Sequence, residues 1–347
     1  MHRLRFCLLA ISLLTCVACQ RVLPMDAEIT PAKTAVVINS RDPESLSAGA
    51  AYLAAYDIPP SNAIRVEVPV KDTLSTSEFL KLENEIQAKL PAQTNAIALL
   101  WSKPFRVDCM SITSAITFSA DPASCASGCK RTRVNSWFLD PDGDLAGTRK
   151  QRRSMLVTGG SLDETLALIL RGAAAQGNHP DGQAALVISG DRHRDVRQHS
   201  FSRLVADPPG RVIIAKQKGF VSSADDLMFY FTGAKAVPHL EELGFLPGAI
   251  GDHLTSHGGN LYGGLQMSAL AWIQAGASGS YGTVAEPCNF VGKFPDPNIL
   301  IRRYVDGDTL AGAYWASVEM PGQGVFVGDP LARPFSPRSA ETSAPLE

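Results

Sequence analysis

The chain has 347 residues, with 32 Lys and Arg against 34 Asp and Glu, a formal net charge of −2 and 19% charged residues. That near-balance, with no basic stripe interleaved with aromatics, argues against nucleic-acid binding. A hydrophobic content of 45% excludes a disordered chain and suffices for one large domain or two small ones with a proper core.

The N-terminus reads as an export signal. Met1 to Arg5 is short and basic, and Phe6 to Val17 is apolar but too short to span a bilayer. Small residues precede Cys19 in Cys16-Val17-Ala18-Cys19, which resembles the cleavage box of bacterial lipoproteins, with Cys16 where Leu is usual. A signal peptide over 1–18, a lipid anchor at Cys19 and a tether over 19–33 are expected, in preference to an ordinary secreted protein or an uncleaved anchor. Such a protein is exported and held at a membrane of the bacterial cell envelope by lipid rather than by a spanning helix.

Strand-like and helical patterns then alternate, which predicts an α/β fold with a mostly parallel central sheet. Thr34 to Asn39 reads as a buried strand. Asp42-Pro43 opens a helix to about Tyr56 by N-cap and first-turn chemistry. Ala63 to Val68 is a second strand, a capping pattern at Ser75 to Phe79 leads a helix to about Leu90, and Ala96 to Trp101 is a third strand. Residues 102–153 read as an irregular excursion; its basic cluster at Arg149-Lys150-Gln151-Arg152-Arg153 reads as a solvated loop.

The alternation resumes with a strand at Met155 to Val157, a helix at Leu162 to Ala175 and a strand at Ala184 to Ser189. A helix near Val196 to Val205, a strand at Val212 to Ala215 and an apolar run at Leu227 to Thr232 follow. The runs Ala249 to Ser256 and Ser278 to Pro287 flank a helix expected at Leu265 to Ala275. Asn298 to Val318 supplies closing helices and Val325 to Val327 a last strand. The chain is thus divided into an N-terminal half (34–153), a C-terminal half (154–335) and a polar tail (336–347) expected to be disordered.

Seven cysteines are present. Beyond Cys7, Cys16 and Cys19, the chain holds Cys109, Cys125, Cys129 and Cys288. An exported protein meets an oxidising compartment, so one disulfide among Cys109, Cys125 and Cys129 is expected, with the pairing left open by spacing. Cys288 is then the thiol left over, although pairing with one of the other three is an alternative.

The residues best suited to chemistry end two strands joined through one helix. His257-Gly258-Gly259 follows the first and Cys288 the second. A thiol beside an imidazole is the minimum for nucleophilic catalysis, because the imidazole draws off the thiol proton and returns it to the leaving group. His257, at the loop position, is favoured as base over His253, which lies inside the strand; the two stand about 13 Å apart if the strand continues. Gly258 and Gly259 are candidate oxyanion donors. Glu286 and Asp252 are candidates for orienting the His or setting specificity. The alternative for Cys288 is a buried structural thiol.

No cofactor is expected. Asp252, His253 and His257 would gather round a metal only on a helix, which Thr255, Ser256 and the glycines oppose. The glycine-rich run 258–264 lacks a phosphate-loop ending. The charged run Asp191 to Arg197 reads as a solvated helix start, with an anion clamp as the sharper alternative, and Asp329 before Pro330 reads as a turn.

Several stretches carry a resemblance. Asn39-Ser40-Arg41-Asp42-Pro43, Gly248 to Ser256, Gly276 to Cys288 and Gly328 to Phe335 are together similar to an uncharacterised bacterial family of exported proteins with no established activity. More distantly, the order of His257-Gly258 and Cys288 after successive strands resembles the caspase–gingipain group of cysteine peptidases, though Pro287 precedes the Cys where that group has a small or amide residue. The resemblance implies a three-layer caspase/gingipain-like sandwich, His257 as base, Cys288 as nucleophile and a peptide or protein substrate. The expected function is a surface-anchored cysteine peptidase-like hydrolase; the alternative is a catalytically silent lipoprotein that binds a protein or glycan at the same sheet edge.

Overall fold

The computed structural model describes residues 28–121, 129–140 and 151–337. The signal, the lipid site Cys19, most of the tether, Cys125, Arg149 and Lys150 of the basic cluster, and the tail from 338 lie outside the described residues. Among the described residues no helix is long and apolar enough to cross a membrane.

The first strand, β1 (Thr34–Asn39), is buried throughout and leads into α1 (Pro43–Ala55). The Asp42 carboxylate caps that helix by accepting from the Glu44 amide, as expected from its sequence. After β2 (Ala63–Val66) and a short β3 (Thr73–Leu74), a capping box of Ser75 and Glu78 starts α2 (Thr76–Lys89), and β4 (Ala96–Leu100) follows. The excursion is less irregular than expected. Its β5 (Arg106–Val107) and β6 (Met110–Ser111) join β3 in a three-stranded sheet, and it contains the buried α3 (Ile112–Phe118) and the single turn of α4 (Ser136–Leu139).

The chain then runs through β7 (Arg153–Leu156), α5 (Leu162–Ala174), β8 (Gln183–Ile188), α6 (Gln198–Ala206), β9 (Ile213–Lys218) and β10 (Leu227–Thr232). It continues through β11 (Phe245–His253), α7 (Ala269–Gln274), β12 (Gly279–Thr283), α8 (Pro297–Val305), α9 (Leu310–Ser317) and β13 (Gly324–Gly328). Helix α7 starts four residues later than expected. Gly263 and Gly264, with φ of 113° and 156°, hold a backbone no helix admits, and the chain bends through Leu265 and Gln266 before the helix starts after Ser268.

The large sheet has ten strands in the order β2-β1-β4-β7-β13-β12-β11-β10-β8-β9. Every neighbouring pair is parallel except β12 with β13. The sheet therefore consists of two parallel blocks running in opposite directions, and their carboxyl ends lie at opposite edges. One continuous sheet spans both sequence halves: β7 and β13, from the C-terminal half, sit in the block begun by β1.

Helices cover both faces. Along β11, Gly251 lies directly under the Trp272 ring of α7, where any Cβ would collide with the indole. The next residue, Asp252, meets Arg197 beside α6. Since successive strand residues point to opposite faces, α7 and α6 are on opposite sides. Helix α9 packs with the α6 side through α8, and α5 with the α7 side. Trp315 of α9 stacks on Phe326 of β13, with ring centroids 4.3 Å apart, and receives the edges of Trp137 and Phe118.

Candidate functional site

Strands β11 and β12 are parallel neighbours joined through α7, so the residues that follow them come out at one edge, as the sequence predicts. Just inside that edge the chain order reverses: β8 pairs with β9 on one side and β10 on the other. In open α/β sheets such a switch point, beyond the carboxyl ends of the strands, is where ligand crevices form. A crevice of about 320 Å³ lies here. Asp191, His193 and Arg194 from the turn after β8, Leu254, Thr255 and Ser256 after β11, and Glu286 to Asn289 after β12 line it, with Phe294.

Cys288 reaches the crevice, but not as a thiol. It is bonded to Cys129, with 4.8 Å between the Cα atoms and a sequence separation of 159. The expectation that Cys288 is the unpaired sulfur is thereby corrected. Cys109 is also in a disulfide. The bridge holds a tight turn in which the Cys288 amide donates to Glu286 Oε1 (2.9 Å). Cys288 and Asn289 are both in the left-handed region, at φ 54° and 55°, a conformation that strains residues with a Cβ.

His253 is a core imidazole. Its Nδ1 accepts from Trp272 Nε1 (2.9 Å) and its Nε2 lies 2.7 Å from the Met267 carbonyl. Those partners require the proton on Nε2 and a neutral ring. Burial pushes its pKa down to about 4, against the upward pull of the Met267 carbonyl. With both nitrogens engaged, it has none to offer a substrate. His257 is half-buried, its amide donates to Gln266 Oε1 (2.8 Å), and its Nδ1 is enclosed without a hydrogen-bond partner. It is absent from the residues that line the crevice. With its sulfur bonded to Cys129, Cys288 has no thiol to offer an imidazole in this oxidised form.

The two glycines have a structural task. The Gly259 amide donates to the Thr283 carbonyl (3.0 Å) and the Gly258 carbonyl accepts from Ala269 (2.7 Å). A Cβ on Gly259 would fall within the backbone of Gly282 and Thr283, and one on Gly282 within that of Gly258 and Gly259. The loop thus crosses β12 backbone to backbone, and the Gly259 amide is not free to serve as an oxyanion donor. Thr283 Oγ1 completes the crossing by donating to the carbonyls of Thr255 (3.1 Å) and Ser256 (2.9 Å).

Asp252 does not orient an imidazole. Its Oδ1 lies 2.5 Å from Arg197 Nη1, both side chains are buried, and Arg197 also donates to the carbonyls of Thr232 (3.1 Å) and Pro295 (3.3 Å). Burial raises the Asp252 pKa and Arg197 pulls it back. The run Asp191 to Arg197 splits in three. Arg197 enters the core, the buried Asp195 ties down the turn by accepting from Ser189 N, Ser189 Oγ and Gly190 N, and Asp191, paired with Arg194, faces the crevice.

Two features escaped the sequence reading. Thr255 is 1% exposed, lines the crevice, and its Oγ1 has no hydrogen-bond partner. Asp329, read as a turn residue, does hold the turn by accepting from the Leu331 amide (3.0 Å), but it also accepts from the hydroxyls of Tyr52 (2.7 Å) and Tyr56 (2.6 Å). Burial pushes its pKa up to about 6, and the two hydroxyls moderate the rise. Neither partnership leaves a local pattern, since the tyrosines lie more than 270 positions from Asp329. Among the described residues, one group with metal-ligand spacing occurs, His239 with Glu241 and Glu242; it is exposed and shares no residue with the crevice lining. No protein-family model, curated protein or solved structure matches this chain.

Proposed function

We propose that the oxidised protein is a non-catalytic binding protein of the bacterial envelope, taking a saccharide-like ligand at the carboxyl edge of β8, β11 and β12. The observation that carries this reading is Thr255: a buried hydroxyl left unsatisfied costs about 1–3 kcal/mol, and because Thr255 lines the crevice, a ligand hydroxyl that displaces the cover over its Oγ1 would satisfy it. The remaining lining suits the same chemistry. Glu286, Asn289, Asp191 and Arg194 offer donors and acceptors for a ring of hydroxyls, and Leu254, Pro287 and Phe294 form an apolar wall for its carbon face. Disulfides at Cys288 and Cys109 support export to an oxidising compartment, where the leader and Cys19 would tether the domain to a membrane.

The reading as a cysteine peptidase-like hydrolase of caspase/gingipain kinship keeps one support, the delivery of His257-Gly258 and Cys288 after neighbouring parallel strands. It requires a reduced Cys288. Calorimetric titration of the oxidised protein with a panel of neutral and acidic oligosaccharides tests the binding reading. Binding is expected for one class, weakened at least about tenfold by Asn289→Ala and by Thr255→Val with the melting temperature retained. Absence of binding across the panel sinks it. Peptide hydrolysis by the reduced protein, lost in Cys288→Ser, puts the hydrolase in its place.

A further inference from the structure

We propose that the Cys129–Cys288 bridge is an exchangeable disulfide, opened by an external dithiol that attacks the Cys129 sulfur. The first support is access. Cys129 is exposed, and Cys288 is half-buried with its residue on the crevice wall. Neither is in the sheet or packed in its core, unlike a bridge that serves as an internal staple.

The second support is that the segment carrying Cys129 is docked by other means. The Asn135 amide donates to the Glu319 carbonyl (2.7 Å), and Asn135 Nδ2 to the Val318 carbonyl (3.1 Å). Arg131 pairs with Glu319, and Trp137 packs its edge against Trp315. Opening the bridge therefore leaves residues 131–137 in place against α9 and the turn after it, with the Cys129 sulfur held near the crevice for re-closure.

The third support is the turn itself. Cys288 and Asn289 are two consecutive non-glycine residues in the left-handed region. Freed from Cys129, the turn has a route to relieve that strain, and relief favours opening. Exposed disulfides are among the labile ones as a class.

The step balances as ordinary exchange. A thiolate of the dithiol attacks Cys129 Sγ, a new sulfur–sulfur bond forms there, and the Cys129–Cys288 bond breaks with its electron pair leaving on Cys288 as thiolate. The second thiol of the dithiol, once deprotonated, attacks the mixed disulfide, expelling Cys129 as thiolate and leaving the dithiol oxidised. Two electrons pass from the dithiol to the protein. The attack falls on Cys129 because it is the more exposed of the two residues. The proposal stands whether the crevice holds a saccharide or another ligand.

Limited treatment with dithiothreitol under native conditions, followed by iodoacetamide and peptide mass mapping, tests it. Labelling of both Cys129 and Cys288 with an unchanged far-ultraviolet circular dichroism spectrum is expected; labelling only after urea unfolds the chain overturns it. Glutathione in place of the dithiol fixes the direction of attack. The mixed disulfide is expected on Cys129 with the alkyl label on Cys288, and glutathione found on Cys288 instead overturns the assigned direction. In Cys129→Ser, Cys288 is expected to take iodoacetamide in the folded protein, and protection there counts against a thiolate released to the crevice.

Discussion

Asp252 and His253 are successive residues of β11 that serve opposite layers of the sheet: Asp252 pairs with Arg197 on the α6 side, and His253 accepts from Trp272 on the α7 side. Two adjacent titratable residues that invite a catalytic reading are each consumed by a buried partner. Strand alternation sends them to opposite faces, so they cannot share one site; the partners on each face, Arg197 and Trp272, then take up one apiece.

The ion pair gives the first prediction. Removing one partner of a buried pair leaves an uncompensated charge and costs about 3–5 kcal/mol, whereas removing both is far milder. Arg197→Leu is expected to lose about that much stability in urea unfolding, and adding Asp252→Leu should recover a large part of it. A double variant no more stable than the single one would show that Arg197 acts mainly through the Thr232 and Pro295 carbonyls it also binds.

His253 and Asp329 give a second prediction, because burial moves their pKa values in opposite directions and so with opposite effects on stability. The His253 pKa falls from 6.5 to about 4, so the unfolded chain takes up this proton first. Its stabilising contribution is present above pH 6.5 and is lost as pH falls towards 4. The Asp329 pKa rises from 3.8 to about 6, so here the folded protein takes up the proton first. That contribution is present below pH 3.8 and is lost as pH rises through 6. Each is worth up to roughly 3 kcal/mol, and over pH 4–6 they offset one another.

Denaturation midpoints measured from pH 7 to pH 4 separate the two. Asp329→Asn, relative to its own value at pH 7, is expected to lose stability on acidification more steeply than the unsubstituted protein. His253→Gln, whose amide can still accept from Trp272 and donate to Met267, is expected to lose less. Parallel curves for all three proteins would refute the assignment of either group.

Much of the sheet was legible from sequence because its signals are local. The Asp42-Pro43 start, the Ser75–Glu78 capping box and the buried strand Thr34–Asn39 each depend on residues within a turn of one another. The order of His257 and Cys288 after parallel neighbours was legible for the same reason. What failed was long-range. Whether Cys288 pairs with Cys129 depends on how the excursion folds over α9, and whether a His is free depends on a tryptophan 19 residues away reaching its Nδ1. The reversal of direction between the two blocks was likewise hidden: β13 runs antiparallel to β12, the strand before it, because it pairs in parallel with β7 from much earlier in the chain.

The loop crossing supplies the third prediction. Gly259 lies against Gly282 with no room for a side chain on either, and the crossing fixes the Thr283 hydroxyl on the carbonyls of Thr255 and Ser256. An added methyl meets backbone rather than a yielding side chain, so the strand or the loop must move. Gly282→Ala is expected to destabilise by about 1–3 kcal/mol, as overpacked sites do. The same displacement shifts Thr255 and Ser256, which line the crevice, so the variant should also weaken whatever ligand the crevice takes, beyond the loss explained by unfolding at the assay temperature. Unfolding curves and ligand titration on one preparation check both effects. An unchanged unfolding midpoint would mean that the loop does not lie on β12 as closely as the Gly259 amide bond to Thr283 requires.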